Sequence, residues 1–463
     1  MNVYQKLGVR TAVNASGRMT ALGGSTLAPE VAEAMADAGA RHVPIEELFR
    51  AAGKALAEST GTEDACPVAG AAAGVATSVA AVIAGTDLDA VQRLPDAGGR
   101  PAEIVLQKGH CVDFGAPVTQ MIRLGGGVPV EVGSVNSVSP AHLTAAIGDQ
   151  TAAVLYVQSH HTVHKGMLSL AEVIELAHAR GVPVILDAAA EEDLRRWPAT
   201  GADLVVYSGG KAIGGPASGI VCGRADLVEA VHAQRTGIGR AMKIGKEVVV
   251  GLVSAVHAYA STDPEAPRRQ EDRIRSMAAQ LAELPGLDAK VITDEAGRDI
   301  HRARLTVLPE AGLSARDLAR ELAAGTPPVY LREHNANLGQ LAIDPRPLAP
   351  DEDEIVLRRI GEVLAAGPGS AGVIERTVVV TEPAGLHARP AAAFAQAAAR
   401  SGVPITVAKG DGEPVDAKSV LSVMGLNVAT GDRIVLRTND TERGRAVIGE
   451  LIAIVRPTDG GGG

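Results

Sequence analysis

The first chemistry legible in this chain rests on a carboxylate and an amine at the ends of two successive apolar runs. Gly181-Val-Pro-Val-Ile-Leu-Asp187 has the pattern of a buried strand that stops at an acid. Leu204-Val-Val-Tyr207 is another, stopping at Ser208-Gly209-Gly210 just before Lys211. Only small residues tolerate a turn of that kind, and Gly214, Gly215 and Pro216 guide the return into Gly219–Gly223. A lysine in such a turn, taken alone, is more often a surface residue. The acid upstream changes the reading: an acid at one strand end and a lysine after the next is the order a pyridoxal 5'-phosphate (PLP) site needs. The amine forms a Schiff base, and the carboxylate pairs with the protonated pyridine nitrogen, without which the ring is a poor electron sink. Each pKa unit by which Asp187 raises that nitrogen favours the protonated form by about 1.36 kcal/mol.

DAAAEEDL from Asp187, SGGKAIGGPASGIVCG from Ser208 and GRAMKIGKE at Gly239–Glu247 resemble the fold-type I PLP enzymes related to bacterial selenocysteine synthase. Within that group the closer likeness is to the D-glucosaminate-6-phosphate ammonia-lyase branch, and it spans Met1 to Ala365. The resemblance implies a fold: an α/β large domain with a mostly parallel sheet, followed by a small α+β domain. It implies an activity as well, a PLP lyase that converts a phosphorylated 2-amino sugar acid to a 2-keto-3-deoxy acid and ammonia. It implies a homodimer or larger homo-oligomer.

The same resemblance assigns roles to particular residues. Ala72, Ala73 and Gly74, at the start of a helix over Ala71–Ala84, hold the PLP phosphate, where backbone N–H groups and the helix dipole favour an anion; close helix packing is the alternative use of such small residues. The Ser208 hydroxyl contacts that phosphate too. His110 resembles the ring that stacks on the PLP face, although an ordinary loop histidine fits its position as well. His160 falls in a substrate-facing loop. Arg240, Lys243 and Lys246 hold a phosphorylated substrate by charge-assisted hydrogen bonds, a solvated helix face being the plain alternative. Arg332 receives the substrate carboxylate. The run His160-His161-Thr-Val-His164-Lys165 invites a metal reading, but no carboxylate completes a ligand set, and no metal is expected.

A second chemistry lies beyond Gly367-Pro-Gly-Ser-Ala-Gly372, a linker by composition. Gly385-Leu-His387-Ala-Arg389-Pro390-Ala391 sets a histidine just before a helix expected to open at Pro390. Backbone donors there favour an anion, and Arg389 adds a fixed positive charge. This heptapeptide, with Lys418-Ser419-Val-Leu-Ser-Val-Met-Gly-Leu426 further along, resembles HPr, the histidine-containing phosphocarrier of the sugar phosphotransferase system. The resemblance implies an antiparallel sheet with three helices and phosphorylation of His387 by enzyme I. It adds EIIA-type phosphotransferase proteins as partners, Ser419 as a regulatory serine, and a docking patch of Val420, Leu421 and Met424.

The elements that must position these residues can be read from periodicity. Helices are expected over Glu30–Ala38 behind Pro29, Ile45–Ser59, Ala71–Ala84, Leu170–Arg180 behind a Ser169/Glu172 capping box, Glu247–Tyr259 and Pro264–Pro285. Strands at Ile104–Gln107 and Ala152–Val157 alternate with them, and the alternation from Ala65 to Cys222 argues a mostly parallel sheet covered on both faces. Strands Lys290–Thr293, Ala303–Leu308 and Val329–Arg332, with helices Ser314–Ala324 and Asp351–Leu364, make the small domain. Val13–Gly17 and Gly23–Ser25 read as a loop-rich arm. The expected domains are 1–260 for the arm and large domain, 261–366 for the small domain, 367–374 for the linker, 375–457 for the phosphocarrier and 458–463 for a disordered tail.

Composition bounds what remains. Among 463 residues, 46% are hydrophobic but only 2% aromatic, so small side chains must fill the cores. A net charge of −10 disfavours a nucleic-acid binder, which would show a basic face, and so weighs against the alternative of selenocysteine synthesis on seryl-tRNA. A third alternative, from another class, is a PLP-fold scaffold tethered to a phosphocarrier. Cys66, Cys111 and Cys222 lack metal spacing and suit a reducing cytoplasm. No signal peptide is evident. Ala65–Gly85 is uncharged for the length of a membrane span, yet its Ala and Gly content points to a buried helix instead.

Overall fold

The computed structural model describes residues 2–113, 115–159, 161–261, 265–294, 298–366, 373–439 and 442–456. Its centre is a seven-stranded sheet. Across the sheet the strands run Asp64–Val68, Gly219–Gly223, Leu204–Ser208, Val184–Asp187, Thr151–Val157, Glu103–Gln107 and Val128–Val132. Gly219–Gly223 is antiparallel to both neighbours, and the other adjacent pairs are parallel. All seven residues of Thr151–Val157 are buried, as a central strand covered on both faces requires.

Successive strand residues face opposite sides of the sheet. Leu204 and Val206 pack with Val75 and Val79 of the helix Ala71–Ala84, while Val205 and Tyr207 pack with Val173 and Ile174 of the helix Leu170–His178. The first of these helices comes very close to the sheet. A Cβ on Gly74 would stand 2.6 Å from Val206 Cγ1 and 3.2 Å from Val221 Cγ2. Gly74→Val is therefore expected to lower the unfolding free energy by about 1–3 kcal/mol through overpacking. Urea denaturation checks this, and an unchanged midpoint would show that the helix can lift off the sheet at no cost.

The small domain is an antiparallel sheet in the order Gln340–Ile343, His301–Val307, Leu287–Thr293. The helices Ala266–Ala282, Ala315–Ala324 and Glu352–Ala366 back it in a core of their own. In His301–Val307 the side chains of Ala303 and Leu305 enter that core, which leaves Arg302 and Arg304 on the opposite face. The arm departs from the sequence expectation. Within the segment expected to be a loop-rich arm, Val13–Ala15 is a strand, parallel to Val329–Leu331, and Val13 and Ala15 are buried in the small-domain core. The apolar alternation is too short for a strand of three residues to be legible before its partner is known.

A second antiparallel sheet, ordered Val373–Val379, Arg433–Asn439, Ile405–Lys409, Val415–Asp416, carries three helices, Ala388–Ser401, Val420–Gly425 and Glu442–Val455, around a separate core. Its first helix opens two residues earlier than expected. His387 is the N-cap and Pro390 sits inside the first turn, which a proline tolerates because N–H groups there have no intrahelical acceptor. Among the described residues no helix is long and apolar enough to cross a membrane. Pro264, the linker stretch 367–372 and the tail 458–463 lie outside the described residues.

Candidate active site

The site forms at the carboxyl edge of the large sheet. Asp187 ends its strand opposite Val206, and the neighbouring strand runs two residues further to Ser208 before turning through Gly209 and Gly210 to Lys211. Asp187 is 5% exposed, and its Oδ1 accepts a hydrogen bond from Ala189 N at 3.1 Å. Burial pushes the carboxyl up to about 6, with the Ala189 N–H and the charge of Lys211 pulling the other way. Burial also lowers the Lys211 amine, Asp187 opposing and Arg298 reinforcing the shift. An amine that gives up its proton readily can attack a carbonyl.

The loop that carries Lys211 is fixed by its backbone. Gly209 N donates to Ser218 O at 2.8 Å, Gly215 N to Gly209 O at 2.8 Å and Gly214 N to Lys211 O at 3.1 Å. Gly214 has φ +71°, a conformation that favours glycine. The arm leans on this loop from outside: Ser25 Oγ donates to Lys211 O at 2.9 Å, and a Cβ on Gly24 would stand 2.7 Å from Gly210 O.

A cradle for an anion lies beside the lysine loop. Ser208 pairs with Gly219, and a Cβ on Gly219 would meet Gly70 C at 2.7 Å and Ala71 N at 3.0 Å. Ser208 and the start of the helix Ala71–Ala84 are thereby brought together. No side chain caps that helix, so its first N–H groups are left for another acceptor. Ala72 is exposed and Ala73 half-buried at this end. Gly74 is a correction: its N–H already donates to Gly70 O at 2.8 Å and its Cα abuts Val206, so it serves helix-on-sheet packing.

His110 follows the strand Glu103–Gln107 and is fully buried. Its Nδ1 accepts from Val157 N at 3.2 Å, and its ring meets Tyr156 edge-on with centroids 4.5 Å apart. Burial, with the nearby His164, pushes it down to about 4. The neutral ring therefore carries its proton on Nε2, a buried donor with no partner among the described residues. His160 lies outside the described residues; its neighbour His161 stacks on His334, with centroids 5.8 Å apart and planes at 24°.

Of the basic residues expected to gather around substrate, three lie at one cavity and Arg332 at another. Lys246 Nζ donates to Ala38 O and, at 2.9 Å, to Gly39 O, capping the C-terminal end of the helix Pro29–Gly39, where a cation is favoured. Arg240 and Lys243 are exposed and, with Lys246, line a cavity of ≈ 510 Å³ together with Ala73 and Thr77. Arg332 lines a different cavity of ≈ 110 Å³, with His161, Arg302, Arg304 and His334.

Sequence reasoning missed the charged network behind that second cavity. Arg302 is 4% exposed, with Nε donating to Asp344 Oδ2 at 2.9 Å and Nη1 to Asp294 Oδ1 at 2.6 Å. Arg298 also holds Asp294, at 2.8 and 3.0 Å. Arg346 holds Asp344 at 2.9 and 2.7 Å and Glu192 at 2.6 Å, and Arg18 reaches Glu192 at 3.3 Å. The guanidiniums hold both aspartates far below the usual carboxylate range. The one available signal was the alternation in His301–Val307, which sets Arg302 and Arg304 off the core face.

In the C-terminal domain the His387 side chain is exposed at the N-cap and makes no capping hydrogen bond, and Arg389 is exposed beside it. Ser419 caps the next helix, its Oγ accepting from Ser422 N at 3.3 Å. Val420 is half-buried there, while Leu421 is 82% and Met424 37% exposed.

The family model for L-seryl-tRNA selenium transferase matches residues 12–292, and that for the PTS HPr component phosphorylation site matches residues 374–456. The chain is 53% identical over 366 residues to a 5'-C-glycyluridine monooxygenase-decarboxylase from Streptomyces sp, covering 78% of this chain and 92% of that one. It is 44% identical over 363 residues to a D-glucosaminate-6-phosphate ammonia lyase from Salmonella typhimurium, covering 78% and 98%. A solved structure of D-glucosaminate-6-phosphate ammonia-lyase superposes with a TM-score of 0.75 at 43% identity, over 79% of this chain and 99% of that one.

Proposed function

The chain belongs to the L-seryl-tRNA selenium transferase family of fold-type I PLP enzymes and carries a C-terminal HPr domain, and from that premise we propose that it is a lyase acting on a phosphorylated 2-amino sugar acid. The observation that carries this reading is the buried Asp187 carboxyl coupled to Lys211 at the sheet edge. PLP fits the residues present: a buried acid for its ring nitrogen, an amine for its carbonyl, an uncapped helix start and Ser208 for its phosphate, and an unspent donor on His110 Nε2. When bound, PLP supplies the electron sink that lets a bond at the substrate Cα break.

Asp187 would pair with the protonated ring nitrogen. Lys211 would hold the cofactor through its amine and would accept the substrate Cα proton. The amides of Ala71, Ala72 and Ala73 and the Ser208 hydroxyl bind the cofactor phosphate, and Arg240 and Lys243 border the same end of the helix. His110 packs beside the ring. Loss of the 3-hydroxyl as water and hydrolysis of the resulting enamine give a 2-keto-3-deoxy acid and ammonia. The HPr domain receives a phosphoryl group on His387 from enzyme I and passes it to EIIA-type proteins, with Ser419 as a site of regulation. We place the whole chain in the cytoplasm as a homo-oligomer.

The 53% identity to the Streptomyces enzyme favours a second reading, oxidative decarboxylation of a 5'-C-glycyl nucleoside. Anaerobic turnover of D-glucosaminate-6-phosphate to ammonia and keto acid supports the lyase; oxygen-dependent release of carbon dioxide from a glycyl nucleoside would replace it. Asp187→Asn tests the electron-sink role. The variant is expected to bind PLP and lose about 10²–10⁴-fold in kcat; a near-normal rate would remove the role from Asp187. In the cofactor-free protein the wild-type carboxyl is ionised above about 6, so capture of PLP with a protonated ring should weaken as pH falls through that value, and Asp187→Asn should abolish the dependence.

A further inference from the structure

The arm runs from the small domain to the large one and touches the lysine loop on the way. At its near end Val13–Ala15 is fixed in the small domain, with Val13 N donating to Pro328 O at 2.8 Å and Ala15 O accepting from Asp344 N at 2.9 Å. The turn that follows is fixed too. Asn14 donates to Gly17 O at 2.9 Å and accepts from Ser16 N at 3.0 Å, and a Cβ on Gly17 would stand 3.1 Å from Asp344 Oδ2. Arg18 adds a tie to Glu192, which Arg346 of the small domain also holds. At the far end Leu27 and Ala28 pack on the large-domain core ahead of the helix Pro29–Gly39. Between these anchors the half-buried Ser25 donates its hydroxyl to Lys211 O at 2.9 Å, and Gly24 abuts Gly210.

The loop needs a hold of this kind. Gly209 and Gly210 precede Lys211 and Gly214 and Gly215 follow it, and glycine leaves a backbone free to take other conformations. The bonds made by Gly209, Gly214 and Gly215 close the loop on itself and on Ser218, whereas the bond from Ser25 comes from outside it. A carbonyl oxygen has two lone pairs, and Lys211 O accepts from both Gly214 N and Ser25 Oγ. Fixing that oxygen fixes the peptide plane, and with it the direction in which the lysine side chain leaves the backbone. Direction matters here, since a misplacement of about 1 Å can cost about 10²-fold in rate. We propose that Ser25 is a positioning residue for Lys211, and that the arm, through Ser25, makes the aim of the lysine depend on where the small domain stands. Ser25 acts through the Lys211 backbone and not on a reacting atom.

The proposal rests on Lys211 as the lysine that takes PLP, but its test does not need turnover. Full-length protein freed of cofactor is mixed with PLP, and the appearance of a borohydride-reducible link is followed at rising PLP concentrations. In Ser25→Ala the plateau rate should fall about 3–10-fold, the worth of one hydrogen bond. The PLP concentration that gives half the plateau should not move, because capture falls to the helix start, Ser208 and Asp187. The visible circular dichroism of the bound cofactor should change as the lysine leaves the backbone in a new direction. Two glycines inserted after the exposed Ala21 keep the hydroxyl but loosen its tether, and should reproduce the slow plateau. If Ser25 merely fastens the arm, Ser25→Ala lowers the urea midpoint and leaves the plateau rate at its wild-type value. That outcome overturns the proposal, as does a wild-type plateau in the insertion variant. Peptide mapping of the reduced link separates the two readings. Label on another lysine removes Lys211 and Ser25 together, whereas label on Lys211 with a plateau indifferent to Ser25→Ala removes Ser25 alone.

Discussion

Lys211→Ala should abolish both the visible absorbance of lysine-bound PLP and turnover, the latter by about 10⁴-fold or more. Burial and Arg298 make this amine easier to deprotonate, while Asp187 keeps the site from losing positive charge altogether. The loop is held in place at its ends: a Cβ on Gly209 would clash with Ser218 Oγ, one on Gly215 would stand 3.1 Å from Gly209 O, and the Lys211 carbonyl accepts from Ser25. PLP should still bind without a covalent link through the helix start, Ser208 and Asp187. Borohydride reduction followed by peptide mapping checks the assignment: label on any other lysine would remove Lys211 from its role.

His387→Ala should lose all phosphoryl transfer from enzyme I and phosphoenolpyruvate while leaving PLP absorbance unchanged. The 14-residue helix Ala388–Ser401 begins at His387, whose exposed ring spends no hydrogen bond on capping. An added phosphoryl group brings about −1.5 to −2 charge units, which the helix N-terminus and Arg389 both favour. The four strands and three helices around this histidine have their own core, so the effect should stop there. Residual labelling in the variant would point to another acceptor, and a lost PLP band would show that the two halves depend on each other.

Much of this was legible in sequence wherever the signal is local. The helix Ala71–Ala84 and the strand Gly219–Gly223 stand where periodicity and glycine punctuation put them; Asp187 ends its strand, and Lys211 follows the next one through the glycine turn. What escaped depends on partners far along the chain. The bonds from Lys246 to the end of Pro29–Gly39 join segments far apart in the chain, which spacing does not report. Gly74 served two readings, a cradle or a packing contact, and only the nearness of Val206 decides for packing. Arg302 gave no hint of burial, because an arginine is buried only when acids such as Asp294 and Asp344 surround it, and sequence spacing does not report that.

The pairing of Val13–Ala15 with Val329–Leu331 has a consequence for the order of assembly. The arm is made before the large sheet, yet the strand it needs is among the last of the catalytic half to be made. Such non-local contacts close late, because the chain between them must first be ordered. Since Ser25 on the same arm holds the Lys211 carbonyl, the nascent large domain can fold around its sheet while the lysine loop still waits for its clasp. Closure of the lysine loop's clasp is thus expected to follow completion of the small domain.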